Sequence, residues 1–200
     1  MKILITSFFL ISLNIQATSF VPDTFSAKFQ QVYKSALTGK EKRSSGSLDY
    51  SYPGSIRLET QSPESLIYVS NNKTTWYYTP PFIEGEAGQV SIQQSSKNGL
   101  TKFLDMLRKG LKSNKYYTIK KDKLTYKVSF SKNAQKDLGI IFANLHFSKN
   151  DFLFEQLTKI EMTQTDKKVK NLILSNIDKS PKFLKTHFDF KIPKNTKVNR

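Results

Sequence analysis

The most constraining feature of the chain is a two-residue alternation of apolar and polar side chains. Leu48, Tyr50 and Tyr52 alternate with Ser47, Asp49 and Ser51, and beyond a Pro53-Gly54 turn Ile56 and Leu58 continue against Arg57 and Glu59. Successive side chains of a strand point to opposite faces, so this period describes a sheet with one dry and one wet face. Residues Ser70 to Lys73 form a turn between two further strand candidates, Leu66 to Val69 and Thr75 to Tyr78, and Pro80-Pro81 stops this meander of hairpins. On these strands Ile67 with Val69, and Trp76 with Tyr78, are the more consistently apolar parities and are expected on the dry face.

Later strand candidates are Leu124, Tyr126, Val128 and Phe130 opposite Thr125, Lys127 and Ser129; Phe142 to Phe147; Lys159 to Gln164; and Val169 to Ile177. A closing run sets Phe188, Phe190 and Ile192 against His187, Asp189 and Lys191. With Phe25 to Ala36 and Ser47 to Tyr52, the pattern predicts about ten strands. Residues 25–37 are open to two readings: Phe25, Phe29, Val32, Tyr33 and Ala36 fit a helix, whereas Phe25, Ala27, Phe29 and Gln31 fit a strand.

One stretch follows the helical period instead. Leu100, Phe103, Leu104, Leu107 and Leu111 fall at i, i+3, i+4, i+7 and i+11, with Asn98 placed as a cap. This helix lies between two sets of antiparallel strands, so its stripe covers the apolar face of the sheet. Gly99 and Gly110 flank it and give it the backbone freedom of a lid, with Phe103 and Leu107 turned to the sheet.

The first residues read as an address. Lys2 is followed by an apolar stretch from Ile3 to Ile15, shorter than the ~20 residues a membrane-spanning helix needs, and Ala17 suits a cleavage site. Residues 1–17 are expected to be a signal peptide and residues 18–200 a single exported domain. Export of a chain with no cysteine points to a periplasm, and the same absence removes disulfides, thiol nucleophiles and Cys-bound metal. The only histidines, His146 and His187, have no metal-ligand spacing and read as ordinary sheet residues. The acids Asp49, Glu59, Glu84 and Glu86 form no recognisable pair with a base. No catalytic residue, metal or cofactor is therefore expected.

Charge is unevenly spread. Residues 18–99 carry 8 Lys and Arg against 7 acids, whereas residues 100–200 carry 23 against 9. A field of this sign attracts anionic lipid, acidic protein or nucleic acid. Export and the excess of Lys over Arg, 28 to 4, argue against nucleic acid, whose specific readers favour the Arg fork.

Several segments resemble one family, the periplasmic lipoprotein carrier LolA of Gram-negative bacteria. Phe25-Ser26-Ala27-Lys28-Phe29-Gln30-Gln31 is similar to its first-strand pattern F-x-A-x-F-x-Q, which favours the strand reading of that segment. Tyr52-Pro53-Gly54-Ser55-Ile56-Arg57-Leu58 resembles P-x-x-F-R-W, and Val69 to Pro80, with Asn71, Lys73, Trp76 and Tyr78, resembles V-S-D-G-K-T-L-W-x-Y-x-P. Phe188-x-Phe190-Lys191-Ile192-Pro193 resembles the family's final strand. There are departures. Only Thr18 to Thr24 precede the first strand, where relatives place a helix, and Tyr52 stands where many carry an Arg that latches the lid.

The resemblance implies a mainly β fold with helices, an incomplete, half-open antiparallel barrel whose apolar concave face is covered by a helical lid. It implies a carrier that shields lipoprotein acyl chains, receives them from an inner-membrane ABC transporter as donor, and passes them to an outer-membrane lipoprotein receptor. The chain has no P-loop of its own, so extraction work falls to the donor. Expected lipid-binding residues are Leu48, Tyr50, Tyr52, Ile56 and Leu58, then Ile67, Val69, Trp76 and Tyr78, with Phe103 and Leu107 from the lid and Tyr126, Val128 and Phe130 from a later strand. The expected state is a monomer that binds no nucleic acid. An alternative on the same half-barrel is a binding protein or carrier for another lipid or glycolipid.

Overall fold

The computed structural model describes residues 19–34, 38–94 and 99–200. The signal-peptide segment 1–17 and the capping position Asn98 lie outside them. The alternation produces strands β1 (Thr24–Lys34), β2 (Glu41–Ser51), β3 (Ser55–Ser62), β4 (Leu66–Ser70), β5 (Thr74–Thr79) and β6 (Gly88–Gln94). Helix α1 (Gly99–Leu107) follows, then β7 (Tyr117–Asp122), β8 (Thr125–Phe130), α2 (Lys132–Leu138), β9 (Ile140–Phe147), β10 (Leu157–Gln164), β11 (Val169–Asp178) and β12 (Thr196–Asn199). The double periodicity of residues 25–37 resolves as strand β1 as far as Lys34, and residues 35–37, including Ala36, lie outside the described residues.

The strands form one twelve-stranded sheet in the order β12-β6-β5-β4-β3-β2-β1-β11-β10-β9-β8-β7. Two consecutive antiparallel runs, β1 to β6 and β7 to β11, are joined by β1 pairing with β11, through Phe29 opposite Leu174 and Gln31 opposite Leu172. The end strands β7 and β12 do not meet, so the barrel stays open. Every pairing is antiparallel except that of β12 with β6.

The concave face carries the main core, including Phe25, Leu48, Tyr50, Ile56, Val128, Leu145 and Ile160, each at most 1% exposed. Helix α1 lays Phe103, Leu104 and Leu107 on it. The helix is shorter than its stripe suggested, because the chain bends after Leu107 and Gly110 takes a left-handed φ of 88°, leaving Leu111 in the following loop. Helix α2, which the sequence reading missed, is set by local chemistry. Ser131 caps it by accepting from the Ala134 N–H, and Gly139 ends it at φ 68°. At the other end of α1, a Cβ on Gly99 would lie 2.8 Å from the Leu138 carbonyl oxygen, so glycine permits the close approach of the two helices.

The structure corrects three expectations. Register pairs Arg57 with Val69, Glu59 with Ile67, Val69 with Trp76 and Ile67 with Tyr78. Residues opposite one another share a face, so Ile67, Val69, Trp76 and Tyr78 belong to the convex side, not to the concave face of Leu48, Tyr50, Ile56 and Leu58. Their apolar character has a separate cause: the segment after β11 crosses this side. The Asn71 amide donates to the Asp189 carboxylate at 2.8 Å, and the Tyr78 and Phe190 rings lie 5.2 Å apart. Val69, Tyr78 and Val90 are thereby at most 7% exposed without belonging to the main core. Meanwhile the polar parity turns inward because Ser70 and Thr75 satisfy each other, their hydroxyls 2.8 Å apart and buried.

The second correction follows. Residues 187–192 alternate like a strand but form irregular turns of this strap, and His187 is not a sheet residue. Its Nε2 lies 2.8 Å from Asp49 Oδ2, its ring stacks on Phe183 at 4.5 Å, and its carbonyl accepts from Arg57. The alternation of Phe188 and Phe190 reflects one side facing the sheet, which a strap shares with a strand. Third, Tyr52 is not an interior residue: it is 48% exposed at the tip of the β2–β3 hairpin.

Candidate functional site

The concave face under α1 is closed beneath the last turn of the helix and open beneath the first, and beyond Gly110 a separate space of about 620 Å³ opens beside Phe20, Leu111, Tyr126 and Phe152. At the closed end Phe103 meets Phe130 edge-on at 6.0 Å, and Tyr117 meets the same ring at 6.0 Å. Leu48, Tyr50, Ile56, Leu107 and Val128, each at most 1% exposed, complete this region. Tyr126, at the end of this row, packs in T-shaped contacts against Phe147 and Phe152.

Polar contacts fasten the helix there. The Tyr50 hydroxyl, directed inward from β2, donates to Asp105 of α1 at 2.5 Å, and Asp105 also accepts from the Gly54 N–H. Burial first, and then the Asp105 carboxylate, push the Tyr50 phenol well above its usual pKa, so it stays a donor throughout the physiological range. One turn on, the Arg108 guanidinium stacks 3.9 Å from the centre of the Tyr52 ring and pairs with Asp23 at the entry to β1. The Tyr117 hydroxyl donates to the Gly110 carbonyl at 2.7 Å. Tyr52 therefore contributes a ring face to a fastening whose cation is supplied by the residue just beyond the helix, Arg108.

The open end lies beneath the first turn of α1. A cavity of about 360 Å³ has an apolar floor of Leu58, Leu100, Leu138, Ile140, Met162 and Leu172. A second space of about 240 Å³, walled by Phe29, Leu66, Tyr68 and Tyr77, shares Gln31, Leu58, Leu100 and Leu172 with the first, so the two form one groove. The larger falls in the size range of small-molecule sites. Of the residues expected to bind lipid, Leu58 lines the groove. Leu48, Tyr50, Ile56, Phe103, Leu107, Val128 and Phe130 lie on the same concave side but in its filled part, and Ile67, Val69, Trp76 and Tyr78 lie behind the sheet.

Sequence reasoning missed Phe29, Leu100, Ile140, Met162 and Leu172 as wall residues. Leu100 belongs to the helical stripe, and Met162 and Leu172 carry the period-two signal on β10 and β11. What the pattern lacked was the β1–β11 pairing that brings these strands beside Leu58. The named acids lie elsewhere. Asp49 contacts His187, Glu59 pairs with Arg57 at 2.6 Å, and Glu84 and Glu86 are exposed on the β5–β6 loop.

No helix among the described residues is long and apolar enough to cross a membrane. The family described as outer membrane lipoprotein carrier protein LolA matches residues 22–191. An outer-membrane lipoprotein carrier protein of Francisella tularensis is 26% identical, the alignment covering 98% of this chain and 96% of the relative. One of Coxiella burnetii is 27% identical over 84% of this chain and 76% of the relative. A solved LolA superfamily protein from Nitrosomonas europaea shares the fold at a TM-score of 0.50 and 9% identity, over 86% of this chain and 93% of that one. A groove-bearing open sheet under a helix and a match running from Pro22 into the C-terminal strap lead to one conclusion: the chain belongs to the LolA family of outer membrane lipoprotein carriers, which are carriers and not enzymes.

Proposed function

We propose that this protein is a periplasmic carrier that holds the acyl chains of a lipoprotein on its concave face while moving it from the inner membrane to a receptor at the outer membrane. The observation that carries the reading is the groove around Leu58, Leu100 and Leu172: apolar in its floor, open to solvent, and roofed by one short helix. The energetic need is large. Burying a methylene is worth about 0.8 kcal/mol, so one acyl chain resists crossing water by ~10 kcal/mol.

Loading begins at the open end. The first turn of α1 lifts from Leu58 and Leu172 while Tyr50, Asp105 and Arg108 keep its last turn in place, so the helix hinges rather than detaches. Cargo then enlarges the groove by displacing helix side chains, and release follows when a receptor offers a better-fitting site. Transfer is a difference of affinities with no covalent step. An inner-membrane transporter acts as donor, because work must be done to pull acyl chains out of a bilayer.

The test is mass spectrometry of material that co-purifies with the tagged protein from a periplasmic extract. Diacylglyceryl-cysteine peptides are the expected finding. Free phospholipid or glycolipid without acylated peptide would overturn the lipoprotein assignment in favour of another lipid on the same half-barrel.

A further inference from the structure

The groove carries one charge, and among the described residues no counter-ion sits beside it. Among the residues lining the larger cavity Lys170 is the only ionisable one. Register places it opposite Met162 on β10, two residues before Leu172, and therefore on the concave face. It is part-buried. Three nearby lysines are paired, Lys159 with Glu161 at 3.4 Å, Lys168 with Asp166 at 2.8 Å and Lys179 with Glu155 at 2.7 Å, whereas Lys167, also without an ion pair among the described residues, is exposed in the β10–β11 turn. No carboxylate of the described residues pairs with Lys170. The amides of Gln31 and Gln164, on the same wall, have no protein partner among those residues either.

Drawing an ammonium partly out of water costs free energy that only an anion or strong acceptors offset. Methylenes of a lysine are content beside apolar surface, but the head group is stabilised by whatever shares the groove mouth. Helix α1 begins on the same wall at Gly99 with no acidic residue in its first turn, so its dipole adds potential of the same sign. An apolar floor below a cation and two free amides matches an amphiphile with an acyl tail and a singly anionic head.

We propose that Lys170 is a head-group anchor, and that the groove prefers acyl ligands ending in a carboxylate or phosphate monoanion over neutral ones of equal chain length. This rests on the reading of the groove as an acyl site and adds the charge of what it takes.

The experiment is displacement of the neutral fluorophore N-phenyl-1-naphthylamine from the delipidated mature protein. Competitors are palmitate, palmitoyl-lysophosphatidylglycerol and the neutral monopalmitoylglycerol. At least one anion should displace the fluorophore at about fivefold lower concentration than the neutral lipid, and which of the two competes better identifies a carboxylate or a phosphate as the source. Lys170→Gln should remove that preference, and Lys170→Arg should retain it. Equal competition by charged and neutral lipids in the unmodified protein, or a preference that survives Lys170→Gln, would overturn the anchor while leaving the acyl groove intact. Failure of every lipid, the neutral one included, to displace the fluorophore would instead remove the groove reading and the anchor with it.

Discussion

The two ends of helix α1 rest on the same sheet in different ways. Toward its C-terminus, Phe103 and Leu107 are fully buried against Phe130 and its neighbours, and Tyr50, Asp105, Arg108 and Tyr52 fasten the turn. Toward its N-terminus, Leu100 is only part-buried above a groove walled by Leu58, Met162 and Leu172. One amphipathic stripe thus packs as core at one end and borders an open groove at the other. Dense packing resists rearrangement, whereas a surface lacking partner atoms can exchange its contacts for a ligand's. The sheet's own asymmetry has the same lesson: β4 and β5 are apolar outward where a strap covers them, apart from the main core.

The largest expected effect tests the closed end. Ile56 is 0% exposed beneath it, so Ile56→Glu buries an unpaired carboxylate and should cost several kcal/mol, on the order of 3–5. Arg57→Glu, on the opposite face, loses a part-exposed pair with Glu59 and should cost about 1 kcal/mol. Urea unfolding of both distinguishes the faces, and equal losses would refute the assignment. Next is Leu107→Ala, expected to lower stability by about 2–5 kcal/mol as a cavity in packed core, with fluorophore affinity of the folded fraction unchanged. A stability loss under about 1 kcal/mol would mean that the C-terminal end is as loose as the other.

Tyr50→Phe keeps the ring and removes the donor to Asp105. It should cost about 1–2 kcal/mol and raise amide exchange across residues 103–108 more than across β2; uniform exchange would show that the bond does not fasten the helix. The smallest stability effect, below about 1 kcal/mol, is expected for Leu100→Ala at the open end, yet its fluorophore affinity should change severalfold. If Leu100→Ala destabilises as much as Leu107→Ala and leaves binding untouched, the gate lies elsewhere.

Much of this was legible in the residues. Strand identity came from period-two runs such as Leu48-Asp49-Tyr50, hairpins from Pro53-Gly54 and Asn71-Asn72, and the helix from the spacing of Leu100 to Leu107. Those signals are local, since side-chain direction repeats every two residues in a strand and every 3.6 in a helix. Periodicity alone therefore determined a mostly antiparallel sheet covered by one amphipathic helix, while its openness was implied only by the family resemblance of segments such as Phe25 to Gln31. Only the tertiary structure decided which parity of β4 and β5 faces inward, because both are compatible with burial once residues 183–190 cross the outer side. The tertiary structure also decided where the groove opens, because Leu58, Met162 and Leu172 meet through the pairing of β1 with β11, strands from opposite ends of the chain. Arg108 finds Tyr52 and Asp23 for the same reason: periodicity states which way a side chain points, while its partner depends on register between distant segments, set by the packing of the whole sheet.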